Sequence, residues 1–376
     1  MSNLFDYMTW RGDLSFGNAP LCPVDALIFS MLAYADFTGI LPEDAAEEPI
    51  RLADAATAYL AAPQVEKSAF ERNHSELLRR MAESERFGNL RLFAAQKRHD
   101  RADGIQFGVL SVLLPGQNIF VAFEGTDDSL VGWKEDFRMS YECPVPAQLY
   151  AAAYTKQVAA AYPLRRLFLG GHSKGGNLAM FAGVKGDPSY RGRVRKIFNN
   201  DGPGFCDNTV GTPVYREMRG RIQIYLPESS IVAVLLEHDQ GYKIVKSTNK
   251  GIAQHDGYSW QVEGADFIYT EERTAFGQKT EKILDSFLAK TSPERKRQFV
   301  EALFSILEAS EQDTLSGLGK RQSIRNIIRA YTELTPEVHE MLIETLSELN
   351  RARRAASKKN AASPALTNDT REKSSG

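Results

Sequence analysis

The stretch Leu169–Asn177, LGGHSKGGN, surrounds Ser173 with four glycines and lies between two apolar segments. The spacing Gly171-x-Ser173-x-Gly175 is typical of a serine at a tight strand-to-helix turn, where a Cβ two residues to either side would clash. Such a turn projects the serine oxygen from the top of a sheet. The amide of Lys174, at a helix N-terminus, could then donate to a developing oxyanion. The pattern therefore indicates a nucleophilic serine.

Two phosphate-binding patterns compete for the same stretch and fit it less well. A P-loop requires Gly-x-x-x-x-Gly-Lys-Ser/Thr, and that ending is absent here. The dinucleotide fingerprint Gly-x-Gly-x-x-Gly does not occur in that order between Gly171 and Gly176. An ordinary tight turn is the remaining alternative to a nucleophile.

A nucleophilic serine needs a histidine base, and three histidines follow Ser173. His255, in the glycine-flanked loop GIAQHDGYSW after the last predicted strand, has the position that a hydrolase histidine occupies. His238, in LLEHDQG, is the second choice. His339 lies in a predicted C-terminal helix and is most simply a surface residue. We therefore predict His255 as the base.

The base needs an orienting carboxylate, for which Asp201 is the first candidate. Asp201 ends the predicted strand VRKIFNND and opens the loop GPGF, so it would lie at the carboxyl end of the strand after the nucleophile helix. An aspartate before Gly-Pro-Gly equally suits a turn or a helix cap. The competing carboxylates are Asp207, Glu228, Glu237, Asp239 and Asp256.

A second oxyanion donor is predicted at Gly125-Thr126, where IFVAFEGT ends a strand. The backbone N–H and the hydroxyl of Thr126 could both point at the oxygen that the Lys174 amide reaches. An ordinary polar loop, with Asp127 or Asp128 capping the next helix, is the alternative. The Lys174 side chain is expected to point to solvent.

The surrounding pattern predicts an α/β protein. Apolar runs within Ile105–Thr126 flank Pro115-Gly116-Gln117, which indicates a hairpin. Strands near Arg166–Gly170, Val194–Asp201 and Arg221–Pro227 then alternate with helices, which favours a mostly parallel sheet covered on both faces. The N-terminal third is predicted to consist of helices and loops, with helices at Pro23–Phe37 and Ser68–Ser84.

Three regions are predicted: an α/β domain over residues 1–270, a helical C-terminal appendage over 280–356, and a disordered tail over 357–376. Ser292 and Pro293 mark the start of one appendage helix, and the appendage is expected to cover a sheet edge.

The composition excludes several classes of protein. With 376 residues, 43% of them hydrophobic, the chain can bury a large core, and its net charge of −2 gives no reason to expect a nucleic-acid partner. It has no run of about 18 apolar residues and no visible signal peptide. Cys22, Cys143 and Cys206 are far apart and odd in number, which predicts free thiols and a cytoplasmic protein.

The segments FEGTDDSLVGWKEDF and LFLGGHSKGGNLAMFA resemble the class 3 lipases. Those enzymes have an Arg-Gly-Ser/Thr oxyanion loop, a Trp-x-x-Asp helix and then Gly-His-Ser-Leu-Gly-Gly. More closely, the chain resembles the bacterial, lipase-like Mbeg-like proteins. The shared segments are FDYMTWRGDLSF, DALIFSMLAY, NNDGPGF, PESSIVAVLLEH and QHDGYSW, which together span about residues 4 to 265.

The resemblance implies an α/β-hydrolase fold, with Ser173 as nucleophile, His255 as base, and Thr126 and Lys174 as the oxyanion hole. Two departures are Glu124, where class 3 lipases usually have Arg, and Lys174, where they have Leu. A third concerns the acid, because the lipase Asp-Ile-Val segment appears here as Ser-Ile-Val at 230–232. NDGPGF instead resembles the pancreatic-lipase arrangement, which supports Asp201.

The predicted function is that of a serine esterase or lipase-like hydrolase acting through an acyl-enzyme. The segment SSIVAVLLEH could line an acyl pocket or pack as a core helix. An acyltransferase with the same acyl-enzyme and a catalytically silent binding protein are the alternatives. No metal or organic cofactor is implied. The predicted partner is a small-molecule ester or lipid substrate, and the oligomeric state is left open.

Overall fold

A nine-stranded mixed sheet with helices on both faces organises the chain in the computed structural model. The structure describes residues 2–62, 68–127, 129–230, 232, 236, 241–275, 277–278, 291–309, 321–332, 334–336, 338–344 and 347. The predicted tail at 357–376 and parts of the predicted appendage at 280–356 lie outside the described residues.

The helices are α1 (Leu4–Arg11), α2 (Pro23–Leu32), α3 (Leu52–Ala61), α4 (Ala69–Glu83), α5 (Glu85–Gly88), α6 (Leu130–Arg138), α7 (Pro146–Ala161), α8 (Lys174–Lys185), α9 (Pro188–Arg191), α10 (Pro213–Met218), α11 (Pro293–Glu308) and α12 (Arg321–Thr332). The strands are β1 (Ile50–Arg51), β2 (Arg91–Asp100), β3 (Ile105–Leu114), β4 (Asn118–Phe123), β5 (Arg166–His172), β6 (Val194–Asn200), β7 (Ile222–Pro227), β8 (Lys243–Val245), β9 (Val262–Glu263), β10 (Asp266–Phe267) and β11 (Tyr269–Thr270).

The strand order of the large sheet is β1-β2-β3-β4-β5-β6-β7-β8-β11. The five strands β4, β5, β6, β7 and β8 are parallel to one another. The pairs β1-β2, β2-β3 and β3-β4 at one end of the sheet, and β8-β11 at the other, are antiparallel. The prediction of a mostly parallel sheet therefore holds for its centre, and the antiparallel ends make the sheet mixed. The carboxyl ends of β5 and β6 meet at one edge of this centre, where loop residues from both strands can converge.

Helices cover both faces of the sheet, as predicted. In β6, Phe198 packs with α1 to α4 on one face, while its neighbour Ile197 packs with α7 and α8 on the other. The same alternation occurs in β4, where Phe120 belongs to the first core and Val121 to the second. Because every central strand is buried on both sides, its sequence is nearly continuous in apolar residues.

The hairpin prediction is confirmed by β3 and β4, which pair antiparallel from Leu114 opposite Asn118 to Val109 opposite Phe123. The prediction that the N-terminal third consists of helices and loops is wrong for β1 and β2. The longer of these is β2. This strand has a register shift between Phe93 and Gln96, with Ala94 at a φ of 53°. The irregularity interrupts the alternation by which strands are found in a sequence.

The prediction of free thiols is wrong for two of the three cysteines. Cys143 and Cys206 form a disulfide that joins the segment before α7 to the loop after β6, across 63 residues of sequence. Cys22 is free. The cysteine argument for a reducing compartment therefore no longer holds, because it depended on all three thiols being free.

Helix α11 begins where predicted, with the Ser292 hydroxyl capping it. It packs mainly on α6 and also contacts α12. Lys134 of α6 lies 3.0 Å from a Glu301 carboxylate oxygen, and the rings of Phe137 and Phe304 lie 5.9 Å apart. Among the described residues, no helix combines the length and the apolar character required to cross a bilayer.

Candidate functional site

Ser173 occupies the turn between β5 and α8 with φ 56° and ψ −133°, a backbone conformation that residues other than glycine rarely adopt. The turn is closed by direct backbone contact. A Cβ at Gly171 would lie 2.1 Å from the Gly175 carbonyl carbon, and a Cβ at Gly175 would lie 2.2 Å from the carbonyl oxygen of Phe123. The predicted reason for these glycines, lack of room, is therefore correct.

The structure brings Ser173, His255 and Asp201 together. His255, at the end of a 3-10 turn (Gly251–His255), has Nδ1 2.7 Å from Asp201 Oδ2 and Nε2 3.0 Å from Ser173 Oγ. Because a carboxylate only accepts, Nδ1 carries the proton and Nε2 accepts from the hydroxyl. Asp201 is fully buried and the His255 side chain is 29% exposed, so of these two side chains the imidazole is the one that faces solvent.

Both carboxylate oxygens of Asp201 are occupied. Oδ2 accepts from His255, Oδ1 accepts from the Ser230 hydroxyl, and the Asp201 amide donates to the Tyr225 carbonyl at 2.7 Å. Ser230 is the residue that the sequence comparison with class 3 lipases set against their acid. In this chain that position supplies a hydrogen bond to a carboxylate on the neighbouring strand.

Two of the three competing carboxylates that the structure describes have other partners. Asp256 Oδ1 accepts from the Tyr258 amide at 3.1 Å, and Asp207 pairs with Lys185. The half-buried Glu228 has no hydrogen bond to His255 among the described contacts. His339 lies in the C-terminal part, against Tyr331. The remaining candidates, Glu237, His238 and Asp239, lie outside the described residues, as does most of the predicted acyl-pocket segment.

His172 is a site residue that the sequence reasoning missed. Its Nε2–H donates to the backbone carbonyl of His255 at 2.7 Å, and its Nδ1 accepts from the Tyr34 hydroxyl at 2.9 Å. Burial, with a smaller contribution from His255, lowers the His172 pKa to about 3, so the ring is neutral. His172 therefore fixes the loop that carries His255. The sequence shows His172 next to Ser173, but it gives no sign of the contact with Tyr34, which lies 138 residues earlier.

The Thr126 hydroxyl does not have the orientation that was expected. It donates to Asp136 Oδ2, on α6, and a hydroxyl has only one proton to donate. The backbone N–H groups of Thr126 and Lys174 have no protein acceptor within the described part of the chain. These two amides are thus the donors that an oxyanion could use. Burial raises the pKa of Asp136 to about 6, although Lys174 and the Thr126 hydrogen bond oppose that shift.

The expectation that Lys174 points to solvent is wrong. The residue is 1% exposed, and its ammonium donates to the Gln106 carbonyl at 2.7 Å, to Gln106 Oε1, and to Glu135 Oε2 at 3.0 Å. A lysine in a helix is usually exposed, so the sequence pattern gave no signal for this. All three ammonium protons have acceptors.

Glu124, the residue before the Gly125-Thr126 loop, is also buried. Lys97 Nζ lies 3.1 Å from its Oε1, while Oε2 has no partner among the described residues. Burial raises the Glu124 pKa to about 7, and Lys97 opposes the shift. The side chain packs against Gly108, where a Cβ would lie 1.8 Å from Oε2.

Fold and site together define a mixed α/β protein with a serine, a histidine and an aspartate in one hydrogen-bonded chain at the carboxyl end of its parallel strands. Among the described residues, no group of three or more His, Cys, Asp and Glu side chains could hold a metal ion.

The family model described as Mbeg1-like matches residues 81–305, which is more than half of the chain, so the chain belongs to the Mbeg1-like family. This confirms the closer of the two resemblances drawn from the sequence. No curated protein matched the chain in a sequence search.

Proposed function

We propose that this protein is a serine hydrolase with an α/β-hydrolase fold that cleaves carboxylic esters through an acyl-enzyme on Ser173. The observation that carries the proposal is the hydrogen-bonded chain from Asp201 through His255 to Ser173, with distances of 2.7 and 3.0 Å. Strand order supports the fold: the serine follows β5, the aspartate follows the adjacent β6, and the histidine follows β8. The chain order serine, acid, histidine is that of α/β-hydrolases.

In the proposed mechanism, His255 takes the proton of Ser173 as the serine oxygen attacks the ester carbonyl. Asp201 holds the tautomer of the imidazole and stabilises its protonated form. The N–H groups of Thr126 and Lys174 stabilise the tetrahedral oxyanion. His255 then protonates the leaving alcohol. Water next attacks the acyl-enzyme while His255 takes its proton, and His255 returns that proton to Ser173 Oγ as the carboxylic acid leaves.

The test is hydrolysis of p-nitrophenyl esters from acetate to palmitate. Ser173→Ala and His255→Gln should lower kcat by about 10⁶-fold, and Asp201→Asn by about 10⁴-fold. His99→Gln and Asp207→Asn, both outside the site, are matched controls and should keep wild-type rates. Near-normal turnover by Asp201→Asn would reassign the acid to another carboxylate.

A fluorophosphonate probe separates an active serine from a silent fold, because labelling of Ser173 requires an activated hydroxyl. If the wild type neither hydrolyses the esters nor takes up the label, the hydrolase proposal fails and a binding role is favoured. Adding a primary alcohol to the assay tests the acyltransferase alternative, since a transferase would form the new ester in preference to the free acid.

A further inference from the structure

The buried side chain of Lys174 ends beside the oxyanion loop and not at the surface. Lys174, Gln106 and Glu135 are each at most 2% exposed. Replacing such an ion pair with apolar side chains often leaves stability unchanged or improved, so burial of a lysine here has no obvious stability benefit. We therefore looked for a role of Lys174 in the site rather than in the stability of the core.

The contacts form a continuous path from the ammonium to a backbone amide. Lys174 Nζ donates to Gln106 Oε1, and Gln106 Nε2 donates to the Gly125 carbonyl at 3.3 Å. That carbonyl belongs to the peptide group whose N–H is the amide of Thr126. A donor at a peptide carbonyl draws electron density from the nitrogen, so the N–H becomes a stronger donor.

We propose that Lys174 is a positioning residue that couples the two halves of the oxyanion hole, its own amide forming one half and its ammonium orienting and polarising the Thr126 amide through Gln106. The inference rests on the proposed function, because it assigns the two amides to an oxyanion.

Three features support the coupling. Glu135 accepts from Lys174, from the backbone N–H of Gln106 at 3.3 Å and from the backbone N–H of Ala147 at 3.0 Å, so the ammonium has a fixed partner. Burial disfavours the charged ammonium, but Glu135 and other carboxylates outweigh it, so the Lys174 pKa is raised and the charge is kept. Leucine, which class 3 lipases have at this position, could not form the path.

The main variant is Lys174→Met combined with Glu135→Gln, which removes the ammonium without leaving an unpaired buried carboxylate. Gln106→Met interrupts the path at its middle and keeps the ion pair. Lys185→Met is the matched control, because it makes the same substitution near the exposed end of the same helix. Urea unfolding of each variant identifies the conditions in which it is folded.

Both path variants should lower kcat for a p-nitrophenyl ester by about 10- to 100-fold, with KM within about twofold, because removing an oxyanion donor entirely costs about 10² to 10³. Binding of a trifluoromethyl ketone, which forms the tetrahedral adduct, should weaken by the same factor as kcat/KM falls. A residue with only a structural role would not link these two quantities. Folded variants with wild-type kcat and ketone affinity would overturn the proposal.

A readout without catalysis separates this proposal from the hydrolase proposal. In protein labelled with ¹⁵N-threonine, the Thr126 amide proton should shift upfield in both path variants and stay unchanged in Lys185→Met. If the wild type has no esterase activity and no fluorophosphonate labelling, the hydrolase proposal fails, and the Thr126 resonance alone decides whether the coupling exists. An unchanged Thr126 resonance in folded path variants would refute the coupling.

Discussion

His172 and His255 have ring centroids 4.7 Å apart, but their ring nitrogens have different partners. Those of His255 contact a carboxylate and a hydroxyl, whereas those of His172 contact a backbone carbonyl and the Tyr34 phenol. At the residue scale, the site thus contains one imidazole between a carboxylate and a hydroxyl, and a second, neutral imidazole that holds the backbone of the first.

Tyr34→Phe should test the holding role. The change leaves Nδ1 of His172 buried without its donor, which should lower the free energy of unfolding by about 1–3 kcal/mol. If the proposed hydrolysis is correct, kcat should also fall with little change in KM. Tyr190→Phe is the matched control, since Tyr190 donates to a buried carbonyl away from the site. Equal activity in both variants, measured with a p-nitrophenyl ester after urea titration, would contradict a role for Tyr34 in the site.

Glu124 predicts a pH-dependent stability. Its pKa rises from 4.5 to about 7 on folding, so between these values the folded state binds more protons than the unfolded state. Wild-type stability from this group is therefore greatest below pH 4.5 and falls as the pH rises towards 7. Glu124→Gln lacks this dependence, so its stability relative to wild type should increase by about 3 kcal/mol between pH 4 and 8.

Urea unfolding across that pH range measures the difference. Glu48→Gln is the control, because the Glu48 side chain is 89% exposed. A constant difference for Glu124→Gln would mean that folding does not shift the Glu124 pKa.

At the element scale, the turn from β5 to α8 places backbone strain on Ser173. Ser173 has φ 56° and is followed at once by a helix, so the adjoining strand and helix hold it in this conformation. Glycine tolerates that conformation and alanine does not. Ser173→Gly should therefore be more stable than Ser173→Ala by about 1 kcal/mol or more in urea unfolding.

The opposite order is expected at Ser189 in α9, where the backbone is helical and alanine is favoured over glycine. If alanine is also the more stable substitution at Ser173, the turn is not strained. Neither Ser173 variant can act as a nucleophile, so the comparison does not depend on the proposed function.

The elements around this turn were largely predictable because their signals are local. The glycine spacing around Ser173 and the alternation of strands and helices put Asp201 on the adjacent strand. The Lys174 side chain was placed wrongly, because its burial depends on Gln106, which lies 68 residues earlier. Tyr34 was missed for the same reason: contacts between distant residues leave no periodic pattern in the sequence.

At the scale of the whole molecule, the N-terminal region is part of the core although the family match begins at residue 81. Asp25 and Arg86 form an ion pair with both side chains fully buried, and the guanidinium also donates to the carbonyls of Leu14 and Ala19. The Trp10 indole donates to the Gly264 carbonyl at 3.1 Å, which ties the first helix to the chain beyond His255.

Helix α2 also supports the site strands directly. It packs on β4, β5 and β6, and its Ser30 hydroxyl accepts from Asn200, the residue before Asp201, at 3.2 Å. Residues 2–80 supply most of the helical layer on that face of the sheet. Without them, apolar strand residues such as Phe120 and Phe198 would be exposed to water at a cost of about 25 cal/mol per Å².

We therefore expect a fragment of residues 81–305, the span of the family match, not to fold cooperatively. It should bind the dye ANS, lack near-UV circular dichroism and unfold in urea without a sigmoidal transition. A chain of residues 1–309 is the control, because it keeps the whole sheet, both helical layers and the contacts of α11 with α6, and it should unfold like the full-length protein. A cooperative transition in the 81–305 fragment would show that the N-terminal helices form a separable layer, and that the candidate site can be assembled without Tyr34 and Ser30.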